Sequence, residues 1–315
     1  MQQISLGEAM KQRRLELGLS QEIVCDGICE TATLSRLENG RQTMSYNRVK
    51  ALMQRLNMPD DRFYALLSQQ ETELDNARRE LLSHYVRFAR AGEKQKRQTW
   101  RLAMEQLQRL ESLAEKEDTI TQQLVLSYKA LLGREDGPYS LEKRLEMQLT
   151  ALRLTVPKFD LEQLSRRRYS LDETQLMNQV AGTYSINGDH SKAIRLYQQL
   201  FDYANKCSDR LSTYANYLTL IAHNYSRELA IRKYYYKAVE VAEQGKCTSV
   251  NYGFYQYLPG FLAIMGECYY QLGEEEKSKK LCVQAHYLYE VLGDERSLNI
   301  IDPDIQQRFS IKFPC

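Results

Sequence analysis

Catalysis by side chains needs a nucleophile, a base and a place to stabilise charge, or else a metal. The chain has seven cysteines and four histidines in 315 residues. No cysteine pair shows Cys-x-x-Cys spacing, and His84, His190, His223 and His286 stand apart from one another. A zinc site is therefore not expected. Gly-x-Ser-x-Gly, P-loop, His-Glu-x-x-His and glycine-rich strand–helix signatures are absent, so no enzymatic activity and no cofactor is expected. Cys25 and Cys29 are four apart, but Gly27 interrupts them, and they read as small buried packers. The isolated histidines read as surface residues, and Arg166-Arg167-Arg168 as a solvated run.

What remains is the chemistry of recognition. Carboxamides recur at Gln175, Asn178, Gln179, Asn216 and Gln271, with Thr219, His223, Arg227, Glu267 and Tyr270 near them at helical spacing. A carboxamide offers a donor and an acceptor together, which suits the main chain of an extended peptide. The guanidinium of Arg227 suits a peptide carboxylate. The rival reading of each residue is a plain solvated helix face.

Such residues must be positioned by helices. Only six prolines and fifteen glycines interrupt the chain, and Leu, Glu, Gln, Lys, Arg and Ala favour helix. The balance of 43 Lys and Arg against 41 Asp and Glu, a net +2, excludes a polycationic coat protein and an acidic tail protein, but not local patches. An odd cysteine count argues against a secreted disulfide framework. The N-terminus shows no apolar leader region, and nowhere do 18 apolar residues run together; a soluble, cytoplasmic, all-α protein is expected.

Residues 5–67 predict five short helices. Leu6, Met10, Leu15 and Leu17 form a stripe that Gly18 closes. Ser20 is placed to cap a second helix over Gln21–Cys25, and a third runs from Thr31 to Glu38, where Asn39-Gly40 turns the chain. Ser45 is placed to cap a fourth, and Asp60 begins a fifth with Phe63, Leu66 and Leu67. From Glu71 the texture changes to long helices: Leu74, Leu81, Leu82, Tyr85 and Phe88, then Trp100, Met104, Leu107, Leu110 and Leu113.

Farther on the pattern repeats. Val180-Ala181, Tyr184, Gly188-Asp189, Ala193, Tyr197 and Leu200 correspond to Met265-Gly266, Tyr269, Gly273, Ser278, Cys282 and Ala285, with a looser copy at Ala222, Tyr225, Ala238 and Val241. Closely packed antiparallel helices need small residues where they cross and aromatic knobs beside them, and a left-handed residue in the turn. Sixteen of the 22 tyrosines lie between 172 and 300, so most should be such knobs. The segments resemble degenerate tetratricopeptide repeats (TPR), although the phases, 41 residues from Ala181 to Ala222 and 44 from Ala222 to Gly266, exceed the usual 34. Stacked hairpins make a concave groove, on which the carboxamide set would lie.

The string Leu19-Ser20-Gln21-Glu22 … Thr33-Leu34-Ser35-Arg36-Leu37-Glu38-Asn39-Gly40 resembles the helix-turn-helix of the Cro/repressor (Xre) family over residues 4–58. The resemblance implies that the third helix enters the DNA major groove. It places Thr31, Ala32, Thr33, Ser35 and Arg36 on the reading side, Arg36 toward guanine and Thr31 and Ala32 toward a thymine methyl. Gln21 and Arg41 would hold phosphates. It also implies a structural ion pair between Arg14 and Glu38, not a DNA contact. Residues 1–66 hold nine Lys and Arg against eight Asp and Glu, so affinity must come from local placement of Arg36, Arg41 and Arg48 and from two heads on paired half-sites.

Head and array together resemble the RRNPP group (PlcR/Rgg-like) of peptide-pheromone-responsive regulators. This implies a helix-turn-helix domain over 1–67, a linker helix over 68–92, a TPR-like peptide-binding and dimerisation domain over 93–300 and a tail over 301–315. It implies a homodimer binding an operator and a short signalling peptide, as in quorum sensing. The alternative is a DNA-binding regulator whose repeats bind a partner protein, such as a phosphorelay component, or serve only for dimerisation.

Overall fold

The computed structural model describes residues 5–58, 69–133, 139–160, 164, 167–208, 212–311 and 313. Among these the chain is all-α, without a strand. The head begins with α1 (Leu6–Glu16), α2 (Gln21–Cys25), α3 (Thr31–Glu38) and α4 (Tyr46–Arg55). The Ser5 and Ser20 hydroxyls accept from the Glu8 and Ile23 amides at 3.2 and 3.3 Å, satisfying N–H groups that the first turns of α1 and α2 leave free. Ser45 precedes α4 without a side-chain cap bond. Met10, Val24, Leu34, Leu52 and Leu56 are wholly buried in the head core. The fifth helix expected at Asp60, Phe63, Leu66 and Leu67 lies outside the described residues.

The remaining helices are α5 (Gln69–Arg90), α6 (Glu93–Leu113), α7 (Thr119–Leu132), α8 (Leu141–Thr155), α9 (Leu171–Ile186), α10 (His190–Ser208), α11 (Ser212–Ile231), α12 (Tyr235–Tyr252), α13 (Leu258–Gln271), α14 (Glu275–Val291) and α15 (Glu295–Phe309). They fall into two compact units, Met1–Glu80 with Glu105–Thr183 and Leu81–Met104 with Tyr184–Cys315. The change of sequence texture near residue 67 is therefore not a boundary of packing. In the first unit, Ile120 of α7 completes the core of the head.

In the second unit, α11 packs on α12 and α13 on α14, and α10 and α12 pack on the helix that follows each. Gly188 and Gly273 take φ of 86° and 81° in the turns after α9 and α13, and Lys233 takes 65° in the turn after α11. The long repeat phase has a direct cause: α11 and α12 run for 20 and 18 residues. Small residues set the approach of these helices. A Cβ at Gly245 would stand 2.3 Å from the Phe261 ring and 2.9 Å from the Ala222 Cβ. Tyr184, Tyr197, Tyr203, Tyr214 and Tyr225 are buried as knobs, whereas Tyr234, Tyr236, Tyr252, Tyr255 and Tyr287 face solvent, so burial of the tyrosines is less general than their clustering suggested. No helix among the described residues is long and apolar enough to cross a membrane.

Candidate functional site

The α3 helix turns Leu34, Leu37 and Glu38 inward. Three- and four-residue spacing then leaves Ala32 and Arg36 exposed and Thr31, Thr33 and Ser35 half-buried on the other side. Below this face, Arg14 Nε and Nη2 donate to the two Glu38 oxygens at 2.7 and 2.8 Å, a bidentate pair of two nearly buried side chains. Burial alone would raise the Glu38 carboxyl, but the bonds from Arg14 and Gln21 bring it below the usual range. Gln21 Nε2 is the second donor, 2.7 Å from Glu38 Oε2. This bond uses one of the two N–H groups of the Gln21 carboxamide and does not displace the phosphate contact expected of it.

The turn after α3 is held by Asn39 Nδ2 donating to the Ser35 carbonyl at 2.7 Å, and Gly40 at φ 67° brings Arg41 into solvent. Arg36 and Arg41 make no ion pair among the described residues. Arg48 is placed differently from expectation, because its Nη2 donates to the Glu117 carbonyl at 3.0 Å. The Thr31 hydroxyl lies 3.6 Å from Cys25 Sγ. Cys25 is buried and Cys29 half-buried; hydrogen bonding from Cys29 lowers the Cys25 thiol to about 6, while Cys29 is raised by the same bond and by burial.

A buried polar cluster that the sequence did not announce joins this head to α7, α8 and α9. Arg55, at the end of α4, donates to the carbonyls of Val24, Asp26 and Thr155 at 2.9, 2.7 and 3.2 Å and to Glu173 Oε1 at 2.7 Å. Both side chains are almost completely buried, 2% and 1% exposed. Gln54 Oε1 accepts from the Leu171 amide at 3.1 Å, and Asn47 Nδ2 donates to Asp118 and Thr121 at 3.3 and 3.2 Å. Arg167 pairs with Asp26, so this member of the arginine run is a structural contact. Gly27, at φ 74°, is obligatory here: a Cβ would fall 2.0 Å from the Thr155 carbonyl oxygen. The signals available in the sequence were a charged residue in the otherwise apolar stripe of α4 and the glycine between two cysteines; nothing local connects Arg55 to Glu173, 118 residues away.

The expected ligand residues divide between the two units. In the first, Gln175 Nε2 donates to the Tyr128 hydroxyl at 3.3 Å, Gln179 Oε1 accepts from Ser127 at 2.8 Å, and Asn178 is buried. Half-buried Gln175 and Gln179 tie α9 to α7, and the burial of Asn178 corrects its placement on an open groove. In the second unit Thr219 is also corrected, being fully buried with its hydroxyl on the Asn216 carbonyl at 2.7 Å. Asn216 and Arg227 are exposed and His223 is half-buried. The imidazole lies 5.5 Å from the Tyr257 ring and 5.9 Å from that of Phe261, where burial first and the Arg227 charge second lower it to about 4. Glu267 accepts from Gln271 at 3.0 Å and pairs with Arg308; the Arg308 guanidinium lies 4.4 Å over Tyr270, and Phe309 meets that ring edge-on at 6.0 Å. Arg227 and Glu267 line one cavity of about 500 Å³. Two other histidines are not simple surface residues: His190 bonds the buried Glu228 and His286 bonds Asp302, each at 2.7 Å.

Residues 5–66 match the family described as "Helix-turn-helix domain". No curated protein matches the sequence significantly. Among solved structures, PlcR of Bacillus thuringiensis in complex with the peptide PapR7 and DNA is similar over 95% of this chain and 99% of its own, at 17% identity and a TM-score of 0.61. The apo form of PlcR is similar over 93% and 98%, at 15% identity and 0.57. ComR of S. thermophilus, in complex with DNA and its signalling peptide ComS, is similar over 96% and 99%, at 14% identity and 0.50. Identities this low establish the fold alone: the chain is a helix-turn-helix head carried on the helical-repeat fold of PlcR and ComR.

Proposed function

We propose that the protein is a sequence-specific DNA-binding transcriptional regulator, cytoplasmic and homodimeric, whose TPR-like array binds a short signalling peptide that modulates operator binding, as in quorum sensing. The observation that carries the reading is the row Ala32, Arg36 and Arg41, exposed on a helix and turn whose inner side is locked by Arg14, Glu38 and Gln21. Arg36 reads guanine O6 and N7, Thr31 and Ala32 meet a thymine methyl, Thr33 and Ser35 flank them, and Arg41 holds a phosphate. The head carries a net charge of only +1 over residues 1–66, which favours two heads on paired half-sites. Exposed Tyr236, Val291 and Ile300 on the second unit supply apolar surface for self-association.

The complexes of PlcR with PapR7 and DNA and of ComR with ComS and DNA support a peptide as the ligand of the array. Asn216, His223, Arg227, Glu267, Tyr270 and Gln271 are the residues that face it. The contacts of Arg55, Gln54 and Asn47 join the head to helices of the array, so a shift in those helices moves the head. A coupling of about 1–3 kcal/mol suffices for a 5–150-fold change in operator affinity. The test is mass spectrometry of protein purified from its own host, followed by gel shift on duplex DNA selected by the full chain, with and without the recovered peptide. A recovered peptide that shifts DNA affinity is expected. A co-purifying protein and no peptide would sink the reading in favour of a partner-binding array.

A further inference from the structure

The cavity in the second unit has an unequal distribution of charge. Its apolar wall comes from Ile231, Ile264, Ile301, Ile305 and Phe309. On the α15 side, Arg308 is already shared by Glu267 and Asp304. On the α11 side, Arg227 and Lys233 line the same cavity, and neither makes an ion pair among the described residues. Both are exposed at the rim, while Ile264 and Ile305 at the wall are buried. The volume, about 500 Å³, lies in the range of small-ligand sites.

An apolar wall next to two uncompensated cations matches one end of a peptide better than its middle. An internal residue brings a neutral amide to the rim; the last residue brings a carboxylate, whose bond to a guanidinium is about twice as strong as a neutral one. An N-terminal ammonium would be repelled by the same pair. We propose that this cavity takes the C-terminal residue of the peptide, an aliphatic or aromatic side chain against Ile264 and Ile305 with its α-carboxylate held by Arg227 and Lys233. The assignment rests on the peptide-receptor reading above and adds the ligand's polarity and the class of its last residue.

The test uses the full chain and pools of random heptapeptides labelled with fluorescein at the N-terminus. Each pool is fixed at its last position as Leu, Phe, Asp or Lys and made both as free acid and as C-terminal amide. Free-acid pools ending in Leu or Phe should be retained about tenfold better than their amides. Arg227→Gln with Lys233→Asn should abolish that preference, asparagine being chosen because it tolerates the left-handed backbone at this position. Arg227→Glu with Lys233→Asp should turn it toward the amides and toward Lys-ended pools. Circular dichroism melts of the variants check that the fold is kept. Equal retention of acids and amides, or a preference that survives the double substitution, overturns the assignment and leaves the receptor reading standing. Failure of every pool to bind overturns both.

Discussion

The head and the last hairpins fix their helices by opposite means. In the head, buried charge does it: Arg14 on Glu38, Arg55 on Glu173 and three carbonyls. In the second unit missing atoms do it, with Gly245 against Phe261 and Gly266 against Cys282. A hydrogen-bonded guanidinium accepts a narrow set of directions, so it fixes orientation. A glycine contact fixes only a distance, and many such contacts must add up along an array. On the proposed function, the contrast suits a head that must hold a rigid reading face and an array that adjusts to a ligand.

The largest effect should come from breaking the head's deepest lock. Glu173→Ala leaves the Arg55 guanidinium buried without its counter-charge and should cost about 3–5 kcal/mol in urea denaturation. The double replacement Arg55→Leu with Glu173→Leu should cost clearly less, since no charge is then stranded. Equal losses would mean that the carbonyl bonds of Arg55, not the ion pair, hold the site.

On the other side of the comparison, Gly245→Ala forces a methyl group into Phe261 and should cost about 1–3 kcal/mol by overpacking, read as a shift in denaturation midpoint. Its effect on DNA affinity should be small if the two units adjust independently. Arg36→Ala sharpens the comparison from the DNA side. It should weaken binding by about 1–3 kcal/mol and relax base preference at one position, measured by selection from random duplexes. Arg41→Ala should weaken all sequences alike and lower the salt slope by about 0.9.

A pH dependence confined to the array is also expected. The His223 imidazole is lowered from 6.5 to about 4, below its value in the unfolded chain. The unfolded state therefore binds the proton first, and the contribution of His223 is complete above about pH 6.5 and is lost as pH falls toward 4. Thermal melts across that range should show a steeper fall for the native chain than for His223→Leu. Parallel curves would mean that His223 is solvated in the folded protein.

Much of the head was legible in its sequence because its signals are local. Ser20, the Asn39-Gly40 turn and the apolar spacing of Leu34 and Leu37 each act within a few residues, and the Arg14–Glu38 pair followed from a shared motif. Gln21 was placed on phosphate because its own helix end favours that; its bond to the Glu38 carboxylate, brought in by folding, had no local signal. The array was less legible. Small and aromatic positions marked the hairpins, yet which carboxamides stay open depends on what packs over them. Gln175 and Gln179 meet α7, whereas Asn216 remains exposed.

The amino-acid sequence alone determined most of the helices, the Ser20 cap, the Asn39-Gly40 turn, the small crossing residues and the apolar inner side of α3, because each depends on neighbours within a turn or two. Only the tertiary structure decided the meeting of Arg55 with Glu173, the burial of Thr219 and Asn178, and the cavity that gathers Arg227, Lys233, Glu267 and Arg308. Those depend on residues tens to more than a hundred positions apart, where charge and volume are matched by packing and leave no local periodicity to read.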